Sequence, residues 1–173
     1  MLKIDLNIKN DDIKIPFKFE VEIGKPHFVE TGEPILRDKL FWALCGLDQN
    51  NRDVSGTIDG EGICFNASTF NNVLALGDRG MFIRGSVRRN IYKALRTRSN
   101  RKIAKQRTDE VINLYKLENL AKMNVKLLED DELLTVSLAR AHYRKIALVI
   151  AKLGQDFDEN RLSKFSKAYI IVL

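Results

Sequence analysis

The sequence is poor in the residue types that build metal and redox centres. Its two cysteines, Cys45 and Cys64, do not form a CxxC motif. Its two histidines, His27 and His142, have no second potential ligand at the spacing typical of metal sites. We therefore expect reduced, packed thiols and no metal site. No apolar run approaches the roughly 20 residues of a membrane-spanning helix. The start of the chain alternates apolar and charged residues, which predicts neither a signal nor a transit peptide, so we expect a cytoplasmic protein.

Acidic residues are absent from one long segment, residues 84–107, which carries ten lysines and arginines. The net charge of +6 lies in this segment, because the other 19 basic and 23 acidic residues leave the rest of the chain at −4. A basic segment of this kind can bind nucleic acid, an anionic membrane or an acidic partner, or can form the solvated face of a helix. Composition alone leaves these alternatives open.

The distribution of apolar residues predicts an α/β fold in a single domain over residues 1–173. A hydrophobic content of 45% is enough for one buried core. Period-two alternation over residues 2–23 predicts an antiparallel hairpin. Later segments predict strands at 27–30, 73–76, 146–151 and 169–173, and helices at 37–47, 86–95, from 108–110 onward, 129–145 and 158–167. A hairpin followed by strands that alternate with helices predicts a mixed sheet with a parallel core and flanking helices.

Four phrases resemble the nucleotide-binding domain of ATP-binding cassette (ABC) transporters, and they occur in the family's order. Residues 40–47 (LFWALCGL) are similar to LLRLLAGL after the phosphate loop, and residues 55–60 resemble the SGEIxxxG turn that follows. Residues 85–91 resemble the exporter phrase LFSGTVRENI, and residues 128–141 fit LSGGQRQRVALARA without a gap. The resemblance implies a P-loop NTPase-like fold with a helical insertion, the helical subdomain, at about residues 86–141.

The resemblance places the phosphate loop at residues 31–38 (TGEPILRD), which do not suit that role. A phosphate loop needs GxxxxGK followed by Ser or Thr, because backbone amides wrap the phosphates, the lysine neutralises charge and the hydroxyl holds magnesium. Here only Gly32 remains, Arg37 stands at the lysine position and Asp38 at the hydroxyl position. Pro34 also lacks an amide hydrogen. We expect this loop not to hold a triphosphate.

The other nucleotide motifs are also filled by residues of different chemistry. Asp78 aligns with the Q-loop glutamine, and the magnesium aspartate and catalytic glutamate of Walker B fall near Ala151 and Lys152. The switch histidine would follow residues 169–173, where the sequence stops. The signature LSGGQ becomes Leu128, Glu129, Asp130, Asp131 and Glu132. Its four carboxylates should exclude the γ-phosphate of ATP, and they satisfy the helix dipole internally.

The resemblance therefore implies a pseudo-ATPase that binds partners. Catalysis needs phosphate positioning, magnesium and a base together, so we expect no catalytic residue and neither ATP nor magnesium as a cofactor. In the family, the surface around the Q-loop receives the coupling helices of the membrane subunits. The matching residues here are Arg79, Met81, Phe82, Ile83, Arg84, Arg88 and Arg89. Apolar anchors beside arginines suit a docking surface, and core packing of Phe82 and Ile83 is equally compatible with the sequence.

The partner implied is a membrane transport subunit or another ABC-type domain, at the inner face of a membrane, and self-association is a further expectation. Two alternatives stay open. Nucleic acid could bind segment 84–107, although Tyr92 is its only aromatic residue and no known nucleic-acid motif is present. The chain could also be an unconventional ATPase, with Arg37 on a phosphate and Asp38 on a metal, although Pro34 and Leu36 would obstruct the phosphates.

Overall fold

The chain divides into two structural units, one formed by Met1–Leu76 with Lys145–Leu173 and the other by Gly77–Arg144. The computed structural model describes residues 1–45, 53–59, 73–77, 82–97, 99–152, 162 and 165–173. In chain order, its elements are β1 (Leu2–Asn10), β2 (Ile13–Val21), β3 (Pro26–Phe28), α1 (Pro34–Leu44), β4 (Val54–Asp59), β5 (Val73–Leu76), α2 (Val87–Arg96), α3 (Arg101–Leu114), α4 (Asp130–Ala141), β6 (Leu148–Ala151) and β7 (Tyr169–Val172), with a short 3-10 helix at Val125–Leu127. The single domain and the bounds of its helical subdomain stay predictions.

The N-terminal hairpin belongs to a three-stranded antiparallel sheet of order β2-β1-β4. The apolar residues of β1 at alternate positions are all buried, so the predicted hairpin is confirmed. Residues 55–59, within the segment that resembles the SGEIxxxG turn, belong to strand β4, and this strand pairs with β1. Gly56 lies directly against that strand: a Cβ added there would meet the Asp5 carbonyl oxygen at 2.0 Å.

Four parallel strands form the second sheet, in the order β3-β7-β6-β5. Every residue of β5, β6 and β7 is buried, as their continuous apolar runs predict for strands covered on both faces. The predicted α/β fold with an N-terminal hairpin and a parallel core is confirmed. The backbone pairing places the hairpin and the parallel strands in two separate sheets rather than in one mixed sheet. Helix α1 begins at Pro34 rather than at residue 37, because proline needs no amide partner in a first helical turn.

The second unit is built from α2, α3 and α4 around their own apolar core. Its fully buried members include Val87, Ile91, Val111, Val136 and Ala139. Ser86 caps α2 as predicted, and its hydroxyl accepts the Arg89 amide hydrogen at 3.3 Å. The helix start predicted at 108–110 is wrong, since Asn100 caps α3 and the helix runs from Arg101. Thr108 is a buried mid-helix residue whose hydroxyl donates to the Ala104 carbonyl at 2.6 Å.

Other element bounds differ by a few residues from the sequence pattern. Helix α4 ends at Ala141 rather than at residue 145, and β3 ends at Phe28 rather than at residue 30. Most of the helix predicted at 158–167 lies outside the described residues. Within the described part of the chain, no helix is long and apolar enough to cross a membrane.

Candidate functional site

The segment aligned with the phosphate loop connects β3 to α1. Gly32 has a φ of +67°, which glycine adopts without strain. Helix α1 follows directly, and the Arg37 amide donates to the Glu33 carbonyl at 3.0 Å. The Glu33 side chain does not cap the helix, and its carboxylate accepts a hydrogen bond from Asn10 Nδ2 at 3.3 Å. Residues that would wrap phosphates in a glycine-rich loop are therefore helical from Pro34 onward.

Asp38 and Lys152 form an ion pair, with 2.7 Å between Lys152 Nζ and Asp38 Oδ1. Lys152 directly follows β6, and its amide donates to the Leu76 carbonyl at the end of β5, at 3.0 Å. Its side chain is 18% exposed, and Nζ lies 5.5 Å from the centroid of the Phe41 ring on α1. The structure thus brings together two residues that the sequence aligns with separate motifs, the phosphate-loop hydroxyl and the region of the Walker B carboxylates.

Arg37, at the lysine position, is only partly exposed, and its buried Nε has no hydrogen-bond partner in the described part of the chain. The next residue but one, Lys39, was not singled out by sequence. Its Nζ donates to the Lys9 carbonyl at 2.8 Å and to Asn10 Oδ1 at 3.4 Å, and it lies 4.0 Å from Asp53 Oδ2. These contacts fasten α1 to the hairpin turn. No local pattern could have revealed them, since Lys39 is 30 positions from Lys9, 29 from Asn10 and, as 53 − 39 gives, 14 from Asp53.

At the signature position, Leu128 is buried and Glu129 stands directly before α4. The Glu132 carboxylate accepts the Glu129 amide hydrogen at 2.9 Å, and the Leu133 amide donates to the Glu129 carbonyl at 2.9 Å. Asp130, Asp131 and Glu132 form the acidic first turn of the helix. Carboxylates at this end favour the helix dipole. The start of α4 is therefore stabilised by the chain's own anions.

The candidate docking residues Phe82 and Ile83 have different environments. Phe82 packs against the apolar core of the second unit, and the Arg140 guanidinium lies 4.6 Å from its ring centroid. Burial lowers the pKa of Arg140 to about 10, so the guanidinium remains cationic at neutral pH. Ile83 is 42% exposed. Asn90 holds its backbone, accepting from the Ile83 amide and donating to the Ile83 carbonyl, both at 2.9 Å.

The described arginines of this candidate set are exposed: Arg84, Arg88 and Arg89. Arg88 forms an ion pair with Asp109 on α3. Asp78, Arg79 and Met81 lie outside the described residues. Among the residues that are described, no three His, Cys, Asp or Glu side chains are grouped so that they could hold a metal ion.

Two solved structures resemble this chain over nearly its whole length. CbiO1 from Clostridium perfringens, part of the ABC transporter complex CbiONQ, has a TM-score of 0.65 and 15% identity, with 99% of this chain and 77% of that chain covered. The ATP-binding cassette MJ0796, a dimeric post-hydrolysis structure bound to ADP and Pi, has a TM-score of 0.68 and 14% identity, with 99% and 87% covered. The chain has the ABC ATPase fold.

The expectation of a P-loop NTPase-like fold of the ABC type is thereby confirmed. At identities of 15% and 14%, the similarity establishes a shared fold and does not assign a function. The sequence matches no protein-family model and no curated protein.

Proposed function

We propose that this chain is a catalytically inactive ABC ATPase-like protein that acts as a binding, regulatory or structural component of a membrane transport complex. The observation that carries the proposal is the ion pair of Asp38 with Lys152. In a P-loop ATPase, the phosphate-loop hydroxyl and the Walker B aspartate hold Mg²⁺. Here Asp38 stands at the hydroxyl position, and it forms an ion pair with Lys152, which lies in the region aligned with the Walker B carboxylates.

This pairing opposes a metal ion at the same place. Mg²⁺ bound to Asp38 would lie beside the Lys152 ammonium, and the two cations would repel each other. Displacing the ammonium instead would remove the carboxylate partner of a lysine that is only 18% exposed. A magnesium–nucleotide complex does not fit these residues.

The phosphate side of the site supports the same conclusion. Because the amide of Arg37 already donates within α1, it is not available to a phosphate oxygen. Pro34 offers no amide hydrogen, and the carboxylate of Glu33 adds negative charge beside the start of the helix. At the signature position, the acidic first turn of α4 would repel the phosphates of a nucleotide bound to an opposing subunit.

Partner binding is supported by the exposed part of the candidate docking surface. Ile83 is an exposed apolar side chain on a backbone that Asn90 holds in place, and exposed Arg84, Arg88 and Arg89 follow it in the chain. A fixed apolar anchor beside arginines suits a protein interface. CbiO1 is part of a transporter complex, and MJ0796 was observed as a dimer. The proposed partner is therefore a transport subunit or a second ABC-type domain, on the cytoplasmic side of a membrane.

Isothermal titration calorimetry with Mg-ATP and Mg-ADP tests the inactive site. With the wild-type chain, we expect no Mg²⁺-dependent saturable heat that is lost when Asp38 or Arg37 is changed. Micromolar binding that is abolished in Asp38→Asn, or phosphate release that depends on Arg37, would contradict the proposal. Light scattering with and without Mg-ATP tests association, and we expect an oligomeric state that does not depend on nucleotide.

A further inference from the structure

A groove of about 560 Å³ lies between α2 and α3, within the second unit. Its lining includes four cationic side chains, one aromatic ring and one carboxylate: Arg88, Arg89, Arg101, Lys105, Tyr92 and Asp109. The two helices supply these side chains because residues three or four positions apart share one helix face. This volume lies in the range of roughly 300–1,000 Å³ that is typical of small-molecule sites.

The groove has an excess of positive charge. Arg88 forms an ion pair with Asp109 in the groove, so the negative charge of the Asp109 carboxylate is compensated. Arg89, Arg101 and Lys105 are exposed, and none forms an ion pair with an acidic side chain in the described part of the chain. Three uncompensated cations thus face a single concave surface.

Helix stability does not account for the positions of these cations. Arg89 lies in the first turn of α2 and Arg101 at the first position of α3, and neither helix has an acidic residue in its first turn. The helix dipole disfavours cations there and favours anions. The amides of Val87 and Arg88 already donate to the carbonyls of Met123 and Ala121. These two α2 amides are therefore not free to bind a ligand, and an anion in the groove would relieve the repulsion among its cationic side chains.

Tyr92 determines which kind of anion suits the groove. It is the only aromatic residue in the basic segment 84–107, and the structure places it among the cations rather than in the core. A ring beside arginines and lysines is the combination that holds a nucleobase and its phosphate. An acidic peptide would use the cations but would have no need of the ring.

We propose that this groove binds a nucleoside phosphate, with the phosphate on Arg89, Arg101 and Lys105 and the base stacked on Tyr92. Arginine side chains match phosphate oxygens with two parallel hydrogen bonds, and lysine adds a point charge. The same chemistry is offered by a free nucleotide and by single-stranded nucleic acid. The site belongs to the second unit and needs no magnesium, so it is independent of the residues aligned with the phosphate loop.

Binding is measured in EDTA with three probes: a fluorescent oligothymidylate by anisotropy, and ADP and inorganic pyrophosphate by calorimetry. The double variant Arg101→Gln/Lys105→Gln removes two groove cations. Lys93→Gln/Lys102→Gln is the matched control, because both lysines are exposed on the same helices and do not line the groove. We expect the groove variant to weaken binding of the oligonucleotide by about tenfold or more, and the control to weaken it by about twofold.

The variant Tyr92→Leu separates stacking from charge. We expect it to weaken ADP and oligonucleotide binding by about fivefold or more and to leave pyrophosphate binding unchanged. If the oligonucleotide binds far more tightly than ADP and its affinity falls steeply with salt, the ligand of the groove is a nucleic acid. If the two affinities are comparable, the ligand is a free nucleotide. Equal losses in the groove and control variants, unchanged binding in Tyr92→Leu, equal competition by polyglutamate, or no binding of any probe would overturn the proposal.

Discussion

The ammonium group of Lys152, at the end of β6, lies 2.7 Å from the carboxylate of Asp38 on α1. Both residues belong to the first unit, Asp38 within α1 and Lys152 directly after β6. Its environment is uneven, since the lysine side chain is 18% exposed and the aspartate side chain is 51% exposed. The lysine therefore depends more on the pair than the aspartate does. Loss of the carboxylate should cost more than loss of an exposed surface charge.

Asp38→Asn should lower the free energy of unfolding by about 1–2 kcal/mol, between the values for exposed and buried pairs. The remaining amide still accepts a hydrogen bond from Lys152, which limits the loss. Asp5→Asn is the matched control, because its pair with Lys18 is largely exposed on both sides, and it should cost less than about 0.5 kcal/mol. Urea denaturation measures both. Equal losses in the free energy of unfolding would show that the Asp38–Lys152 pair contributes no more to stability than an exposed ion pair does.

Asn90→Ala should destabilise the second unit by about 2–3 kcal/mol. Asn90 is 1% exposed and binds the Ile83 amide, the Ile83 carbonyl and the Ser86 carbonyl. The variant leaves polar groups without partners, and that penalty exceeds the net value of one hydrogen bond. It should also speed hydrogen exchange at the Ile83 amide, and so loosen the candidate docking surface. The exposed Asn113→Ala control should change stability by less than about 0.5 kcal/mol, and unchanged exchange at Ile83 would contradict the assigned role.

Periodic patterns and capping residues could be predicted because they are local. The hairpin has alternating residues, β6 is continuously apolar and Ser86 precedes α2 with a capping hydroxyl. The sequence does not predict strand β4, since this edge strand has no buried residue and therefore no alternation of apolar and polar positions. Its register depends on β1, far away in sequence.

The candidate site depends even more on distant partners. Asp38 and Lys152 are more than a hundred positions apart, and only the path of the sheet brings them together. The sequence alone does not assign Tyr92 to a binding site, because it is a single aromatic residue in a basic segment. Its significance comes from the packing of α2 on α3, which sets it beside cations of both helices.

The contact of Arg140 with Phe82 should contribute a measurable coupling energy. The guanidinium lies 4.6 Å from the ring centroid and is cationic at neutral pH, so the two side chains form a cation–π pair. In a double-mutant cycle with Phe82→Leu and Arg140→Met, we expect a coupling of about 0.5–1 kcal/mol, read from urea denaturation at pH 7. Additive effects would show that the two side chains contribute by packing alone. Phe28→Leu, at a half-exposed residue of the first unit, is a control for loss of a ring.

Protonation of Glu110 should make stability depend on pH through Tyr143. The Tyr143 hydroxyl donates to Glu110 Oε2 at 2.8 Å, and this bond, with a second from Gln106, lowers the pKa of the Glu110 carboxyl below its ordinary value of 4.5. A carboxyl whose pKa is lower in the folded state stabilises the fold above its unfolded pKa, and loses that contribution as pH falls through the folded pKa. Tyr143→Phe should therefore be less stable than wild type at neutral pH, and the difference should shrink below about pH 4.

The carboxyl resonance of Glu110 reports the cause directly. In an NMR titration, Tyr143→Phe should raise the pKa of Glu110 towards its ordinary value, because the largest stabiliser of the ionised form is gone. Tyr115→Phe is the matched control, since the Tyr115 hydroxyl lies 3.3 Å from His142 Nδ1 rather than near Glu110, and it should leave the Glu110 titration in place. A Glu110 pKa that does not move in Tyr143→Phe would mean that Gln106 and the cation of Arg107 hold the carboxylate without the tyrosine. The difference in stability between Tyr143→Phe and wild type would then persist in acid.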